Sequence, residues 1–446
     1  MAKFQAVYVP IGVPTFELVS AQKEFDKSVE LLQSIMPDVT VPKEMLLSID
    51  LLTEYLDSLQ PDLIILQNIT FANAAYDSEV LKRFDCPLLL WTLREPVIDG
   101  GRLRLNSLTG AYSAANAIKA FRKEPFEYIF GAPEEEKVKR TVAAVIHAAK
   151  LKNDMKHLKL AAVGHTPQGF GFGRALDMEM LQNFGVTLES IEARELIDHA
   201  KAYTDEEIES YLADASGRMN GLEQTPEQNR KDFARLYRAY KEYVEQNHIG
   251  ALASRCWPDF FTAFGTPVCA VLAILNDLGI AASCEADTYG ALSMYLGTQL
   301  TGQPTFFGDP VSMDETEGSI TFWHCGTAAC SLARTDTGAA VGVHCNRKIG
   351  PTLDFGCKSC KDVTVFRIGR KADGSFRFFL AKGEALDKPK QFTGTSIVVK
   401  TETPAEEIIN SSVKAGWEPH FVVIYGDKMA ELEALAHMLD MEVCKY

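Results

Sequence analysis

Along residues 4–300, short continuous apolar runs alternate with longer stretches whose apolar residues recur at helical spacing. Runs such as 62–67 (DLIILQ) and 87–91 (PLLLW) have no polar face, the pattern of a strand covered on both sides within a parallel sheet. Residues 4–11 and 128–130 read the same way, and helical periodicity fills 17–36, 73–84, 112–121 and 134–150. Strand and helix in alternation predict a parallel sheet wrapped by helices, with ligand-binding groups at the carboxyl ends of the strands. A polar hinge at 150–157 (KLKNDMKH) interrupts this order, and 158–163 (LKLAAV) restarts it. Residues 203–246 are highly charged, helical and without strand signal, which marks a solvated two-helix excursion. Strands follow at 250–254 (GALAS) and 281–283, then a helix from 288 to about 300 that Asp287 or Thr288 would cap.

The pattern changes near residue 304. A short strand at 304–307 delivers Asp309, and 319–323, 329–334, 340–344, 363–369 and 375–382 are short runs, several alternating with period two, separated by Gly, Asp and Asn turns. Helices return at 405–414 and 428–439. The expected fold class is α/β: two Rossmann-like parallel-sheet domains, 1–151 and 152–304, then a β-rich, barrel-like C-terminal domain, 305–446.

A chain of 446 residues with 46% hydrophobic and 24% charged residues can bury large cores. Its formal net charge of −15, with no basic block, argues against nucleic acid or an anionic membrane surface as partner. The start carries no export-signal pattern and no apolar run is long enough to span a bilayer, so a cytoplasmic protein is expected. The ten cysteines lie mostly in apolar surroundings, as reduced core thiols do. Cys357 and Cys360 alone have motif spacing; without a second pair, coincidence on a surface loop outweighs a zinc site or a redox pair.

The chemistry concentrates in 284–327. Glu285, Asp309 and His324 each stand where an apolar run meets a turn or a helix start, and His420 precedes the strand-like run FVVIY. Any one of them alone reads more readily as a cap, a surface carboxylate or a partly buried imidazole than as a ligand. Together, carboxylate oxygens and imidazole suit a hard or borderline divalent ion, Mn²⁺ or Mg²⁺. Arg255 and Trp257, at the end of the 250–254 strand, fit either a polyol site or an interface tryptophan with a paired arginine. The stretch 164–173 (GHTPQGFGFG) does not make the dinucleotide fingerprint and reads as a lid or substrate loop.

A Glu that opens a helix, an acidic residue 24 positions later, and Gly416-x-x-x-His420 before a strand and a closing helix resemble the L-fucose and L-arabinose isomerases. The resemblance implies a metal-dependent aldose-ketose isomerase working through an enediol. It makes Glu285 and Asp309 metal ligands and acid/base groups and His420 a ligand, and His324 matches a histidine of the arabinose branch. It further implies Mn²⁺ or another divalent cation, and a small-molecule sugar that is a deoxyhexose, a pentose or a substituted hexose such as a sulfonated one. Homo-oligomers, trimers or hexamers with a composite active site, follow from it as well. Substrate contacts are then expected from Arg255, Trp257, Trp91, Arg94 and His344, with Arg94, Arg255 or Lys348 facing any anionic group. The rival readings are a metal-dependent hydrolase or lyase on a sugar-like substrate, and a noncatalytic sugar-binding protein.

Overall fold

The N-terminal apolar runs pair side by side. Strands β1 (Ala6–Ile11), β2 (Leu63–Asn68), β3 (Leu88–Thr92) and β4 (Glu127–Phe130) form a parallel sheet in that order. Every residue of β1, β2 and β3 is buried, which is why these segments show no alternation. The computed structural model describes residues 3–122 and 125–446. Its chain divides into two units, Met1–Asp154 with Ala430–Met441, and Met155–Met429 with Glu442–Tyr446.

The second unit begins with another parallel sheet, order β6-β5-β7-β8, from β5 (Lys159–Val163), β6 (Thr187–Ile191), β7 (Ala251–Ser254) and β8 (Ala281–Cys284). Between β6 and β7 lie helices Ala193–Ala202, Glu209–Arg218 and Glu227–Asn247. Helix Thr288–Thr301 leaves β8 and packs on β7 on one side and on strands of the C-terminal sheet on the other. Burial from both sides explains why its sequence is apolar nearly all round.

The remaining strands are β9 (Phe306–Asp314), β10 (Ser319–His324), β11 (Val341–Gly342), β12 (Thr352–Leu353), β13 (Phe355–Gly356), β14 (Cys360–Arg370), β15 (Phe376–Ala385), β16 (Thr395–Thr401), β17 (Phe421–Tyr425) and β18 (Glu442–Lys445). Antiparallel pairing runs β16-β10-β9-β17-β14-β15, and a β15–β16 pairing returns to the start, so six strands close into a barrel. β13 and β18 add to it in parallel, and β11 pairs with β12 outside it. Closure removes the sheet edges that an open antiparallel sheet would expose.

Three local expectations change. The strand expected at 304–307 continues to Asp314, so Asp309 sits inside a strand, opposite Trp323, beside a register shift between Thr321 and Phe322. The run 329–334 forms a short 3₁₀ turn, Cys330–Leu332, in place of a ladder strand. The run 340–344 shortens to the two residues of β11. Among the described residues, no helix is long and apolar enough to cross a membrane.

Candidate active site

The site grows from the corner between β8 and helix Thr288–Thr301. Glu285 and Ala286 have φ of 59° and 54°, two successive non-glycine residues in the left-handed region. Each costs of order 1–3 kcal/mol and persists only where the surroundings impose it. Asp287 closes the corner by accepting the Gly290 amide at 2.9 Å, so it is the helix cap. The strained turn points the Glu285 carboxylate at His420, with Oε2 3.1 Å from Nε2, while Oε1 accepts the Trp257 indole N–H at 3.3 Å. Asp309 Oδ1 approaches the same Nε2 to 3.5 Å. The ligand atoms of Glu285, His324 and His420 lie within 4.8 Å of one another.

His420 is held by a fully buried network. Its Nδ1 meets Asp287 Oδ2 at 2.9 Å, and Arg367 on β14 donates to both oxygens of Asp287, at 2.7 and 3.3 Å, and to the His420 carbonyl at 2.9 Å. Glu418 Oε2 lies 3.5 Å from Arg367 Nε, and its Oε1 accepts the Arg370 amide at 2.7 Å. An Asp287 carboxylate kept ionised by Arg367 can only accept, so Nδ1 carries the proton and Nε2 is the atom left facing Glu285 and Asp309. A neutral imidazole would then turn a lone pair toward two carboxylates inside the protein, which requires a proton or a cation between them. The donor set, carboxylate oxygens plus an imidazole nitrogen oriented by a second carboxylate, fits a divalent ion such as Mn²⁺.

The electrostatics agree with that demand. Burial works against ionisation of Asp287, but Arg367 and His420 outweigh it and hold the carboxyl well below the usual range. Burial likewise opposes ionisation of Glu285, and the hydrogen bond from His420 with the charges of His324 and His420 still lowers it. For Asp309 burial wins over the two histidines and raises the carboxyl. His420 is raised despite its burial, through Asp287 and Glu285. His324 is pushed up to about 10, burial opposing and Cys325, Asp309 and Glu285 raising it. Two carboxylates of opposite tendency share one imidazole.

Aromatic rings enclose the centre. Phe307 packs on His420 with ring centres 4.7 Å apart and on His324 at 5.5 Å. The glycine-rich stretch contributes Phe172, edge-on to His420 at 5.4 Å, and Phe170, edge-on to Trp257 at 5.9 Å. Gly173 is required there, because a Cβ at that position would stand 2.8 Å from the Asp287 Cα. The lid or substrate loop expected at 164–173 is thus packed against the His420 network.

The structure brings Glu285, Asp309, His324, His420 and Trp257 together. His324 Nδ1 faces Cys325 Sγ at 3.3 Å and Thr327 Oγ1 at 3.2 Å. Arg255 is committed locally: its Nε lies 2.7 Å from Asp259 and donates to the Trp257 carbonyl at 3.1 Å. His344 is buried edge-on to Phe261 at 5.0 Å, and the Lys348 backbone is left-handed. In the first unit, Trp91 is a correction, since it is fully buried and its indole N–H is taken by the Gly131 carbonyl at 3.0 Å, which makes it a core residue. Arg94 is half exposed and forms a two-pronged pair with Glu135, 3.0 Å at each prong, over the Phe130 ring. Cys357 is buried, Cys360 donates to the Asp362 carbonyl, and all ten cysteines are free thiols.

Sequence reasoning missed Asp287 as anything but a cap, and missed Arg367 and Glu418 altogether. The available signal was an arginine inside the otherwise apolar VFRI of β14, since a cation on a buried strand requires a buried acid.

Residues 345–446 match the family described as L-fucose isomerase, C-terminal domain. The whole chain is 64% identical over 446 residues to the sulfoquinovose isomerase of Clostridium sp. (strain MSTE9), covering 100% of both. It is 36% identical over 450 residues to that of Priestia aryabhattai, again covering 100% of both, and 33% identical over 445 residues to that of Alkalicoccus urumqiensis, covering 98% of each.

Proposed function

The chain belongs to the sulfoquinovose isomerases of the L-fucose isomerase-like family, and on that premise we propose that it interconverts a 6-sulfonated aldohexose and its 2-ketose at the Glu285–Asp309–His420 centre. The observation that carries the reading is the convergence of two carboxylates on one imidazole nitrogen, 3.1 and 3.5 Å away, with the opposite ring nitrogen tied to a buried carboxylate.

Glu285, Asp309 and His420, with His324 as a further donor, would hold a divalent ion for which Mn²⁺ is the favoured choice. Such an ion supplies Lewis acidity to the sugar's carbonyl and neighbouring hydroxyl oxygens. The reaction itself moves two protons: one leaves C2 and one arrives at C1, while another passes between O1 and O2. We assign the taking and returning of these protons to Glu285 and Asp309, a reading supported by the approach of an oxygen of each to His420 Nε2. Asp287 and Arg367 keep Nδ1 of His420 protonated and the ring fixed, so Nε2 stays directed at the reacting end. Phe172 and Phe307 pack on the His420 ring and keep it from water, which strengthens its interactions with the carboxylates.

The setting proposed is cytoplasmic, supported by the ten reduced thiols, and the assembly is a homo-oligomer, trimer or hexamer, whose composite site includes a neighbouring N-terminal unit. Ketose formation from the sulfonated aldose, and aldose formation from the ketose, each followed by proton NMR, test the activity. A hydrolase or lyase would yield cleaved products in place of a two-way mixture, and a binding protein would yield none.

A further inference from the structure

Arg347 stands on a turn closed by the Lys348 amide, which donates to the His344 carbonyl at 2.8 Å. Its guanidinium carbon lies 5.8 Å from the centre of the Trp257 ring and 5.8 Å from that of Phe261. Trp257 is the residue whose indole N–H meets Glu285 at 3.3 Å. One aromatic side chain therefore joins the carboxylate that opens the centre to a cation at its rim. Two arginines share this neighbourhood, and they differ in commitment. Arg255 has its Nε 2.7 Å from Asp259 and bonded to the Trp257 carbonyl. Arg347 forms no ion pair among the described residues; its guanidinium lies against the two rings.

We propose that Arg347 receives the sulfonate of the substrate and sets the preference for an anionic over a neutral sugar. This rests on the reading above, in which Glu285, Asp309 and His420 take carbons 1 and 2. An open six-carbon chain with C–C bonds of about 1.5 Å spans roughly 6 Å from its first carbon to its sixth, so a sugar with one end at Glu285 carries its sixth carbon across a length comparable to the indole. A guanidinium presents two parallel N–H donors that match two oxygens of a sulfonate, and it remains charged wherever it is placed. The flanking rings of Trp257 and Phe261 limit the side chain's freedom, so less ordering is lost when it meets a ligand than for an unsupported surface arginine. The sugar's apolar C–H face has the same indole available between its two polar ends.

The test compares sulfoquinovose with quinovose, the same hexose carrying a methyl group in place of the sulfonate-bearing carbon, in the Mn²⁺-supplemented full-length enzyme. Arg347→Met should lower kcat/KM for sulfoquinovose about a hundredfold, mainly through KM, and leave quinovose turnover within about twofold. Arg347→Lys should recover part of the loss, because charge is restored without the fork. Because Arg347 is exposed, the variant does not threaten the fold. Equal losses on both sugars, or no loss on either, overturn the assignment. So does transfer of the selectivity to Arg174→Met, whose arginine lines a separate cavity of about 290 Å³ with His165 and Thr288. If the unaltered enzyme turns over quinovose but not sulfoquinovose, the functional reading itself fails, and that outcome is distinct from failure of Arg347 alone.

Discussion

Replacing Asp287 by Asn keeps the oxygen that caps helix Thr288–Thr301 and removes only the charge. Asp287 and Arg367 are each 1% exposed and 2.7 Å apart, so the substitution strands a guanidinium in the interior. Breaking a buried pair from one side costs about 3–5 kcal/mol. Glu418, 3.5 Å from Arg367 Nε, remains as a partner, which places the cost near the low end, about 3 kcal/mol. At roughly 2 °C per kcal/mol for a unit of this size, the unfolding midpoint of chelator-treated protein should fall by about 6 °C. Asp287→Asn combined with Arg367→Met should lose less than the two single changes added together, because an isosteric apolar pair replaces a buried ion pair at little cost. With Nδ1 of His420 no longer fixed, Mn²⁺ affinity should fall about tenfold to a hundredfold. The sign with pH follows from the lowered carboxyl: its stabilisation is complete above about pH 4, the unfolded-state value, and fades as pH falls through the depressed folded value. The variant should lack that acid limb. A midpoint within 1 °C of the parent at neutral pH (an arbitrary bound of roughly 0.5 kcal/mol), or a double variant whose loss equals the sum, would refute the reasoning.

Gly173→Ala should push on the Asp287 backbone, which a Cβ would meet at 2.8 Å, and weaken Mn²⁺ binding in isothermal titration while Gly171→Ala, in open space, leaves it unchanged. Asp77, fully buried in the first unit with neither oxygen partnered among the described residues, has its carboxyl raised by burial to about 7. Its favourable protonated state is intact below about pH 3.9 and lost as pH rises through 7, so Asp77→Asn should raise the melting temperature at pH 8, by up to roughly 4 kcal/mol of stability, and change it little at pH 4. Mn²⁺ affinity should fall as pH is lowered, because the raised pKa of His420 makes its proton compete with the ion; a pH-independent affinity would remove His420 from the ligand set.

The alternation of apolar runs and helical stretches was legible because strands covered on both faces carry few polar residues, and in β2 and β3 Gln67, Asn68 and Thr92 stand only at the carboxyl ends. The barrel was legible only in part. Strand β16 (TSIVVKT) follows a Lys- and Pro-containing segment; it turns back on the nearby β15, but its other neighbour, β10, is distant in sequence, so nothing local announced the closure. Glu285, Asp309 and His420 stood out because polar residues bordering short apolar runs are visible in one dimension. The support behind them was not: Asp287 and Arg367 are 80 residues apart and become a pair only when β14 closes against the helix. Trp91 misled for the converse reason, since an aromatic residue at the end of a strand looks the same in sequence whether it faces a ligand or the core.

The central claim is that a divalent ion held by Glu285, Asp309 and His420 makes this chain an isomerase. Its most direct test is Mn²⁺ binding by electron paramagnetic resonance alongside ketose formation from sulfoquinovose, in chelator-treated protein and in Glu285→Gln and Asp309→Asn. The account predicts no ketose without added ion, recovery with Mn²⁺, and loss of both tight binding and turnover in each variant while the fold persists by circular dichroism. Full turnover in the chelated protein, or Mn²⁺-dependent activity near the parent's in either variant, would contradict it.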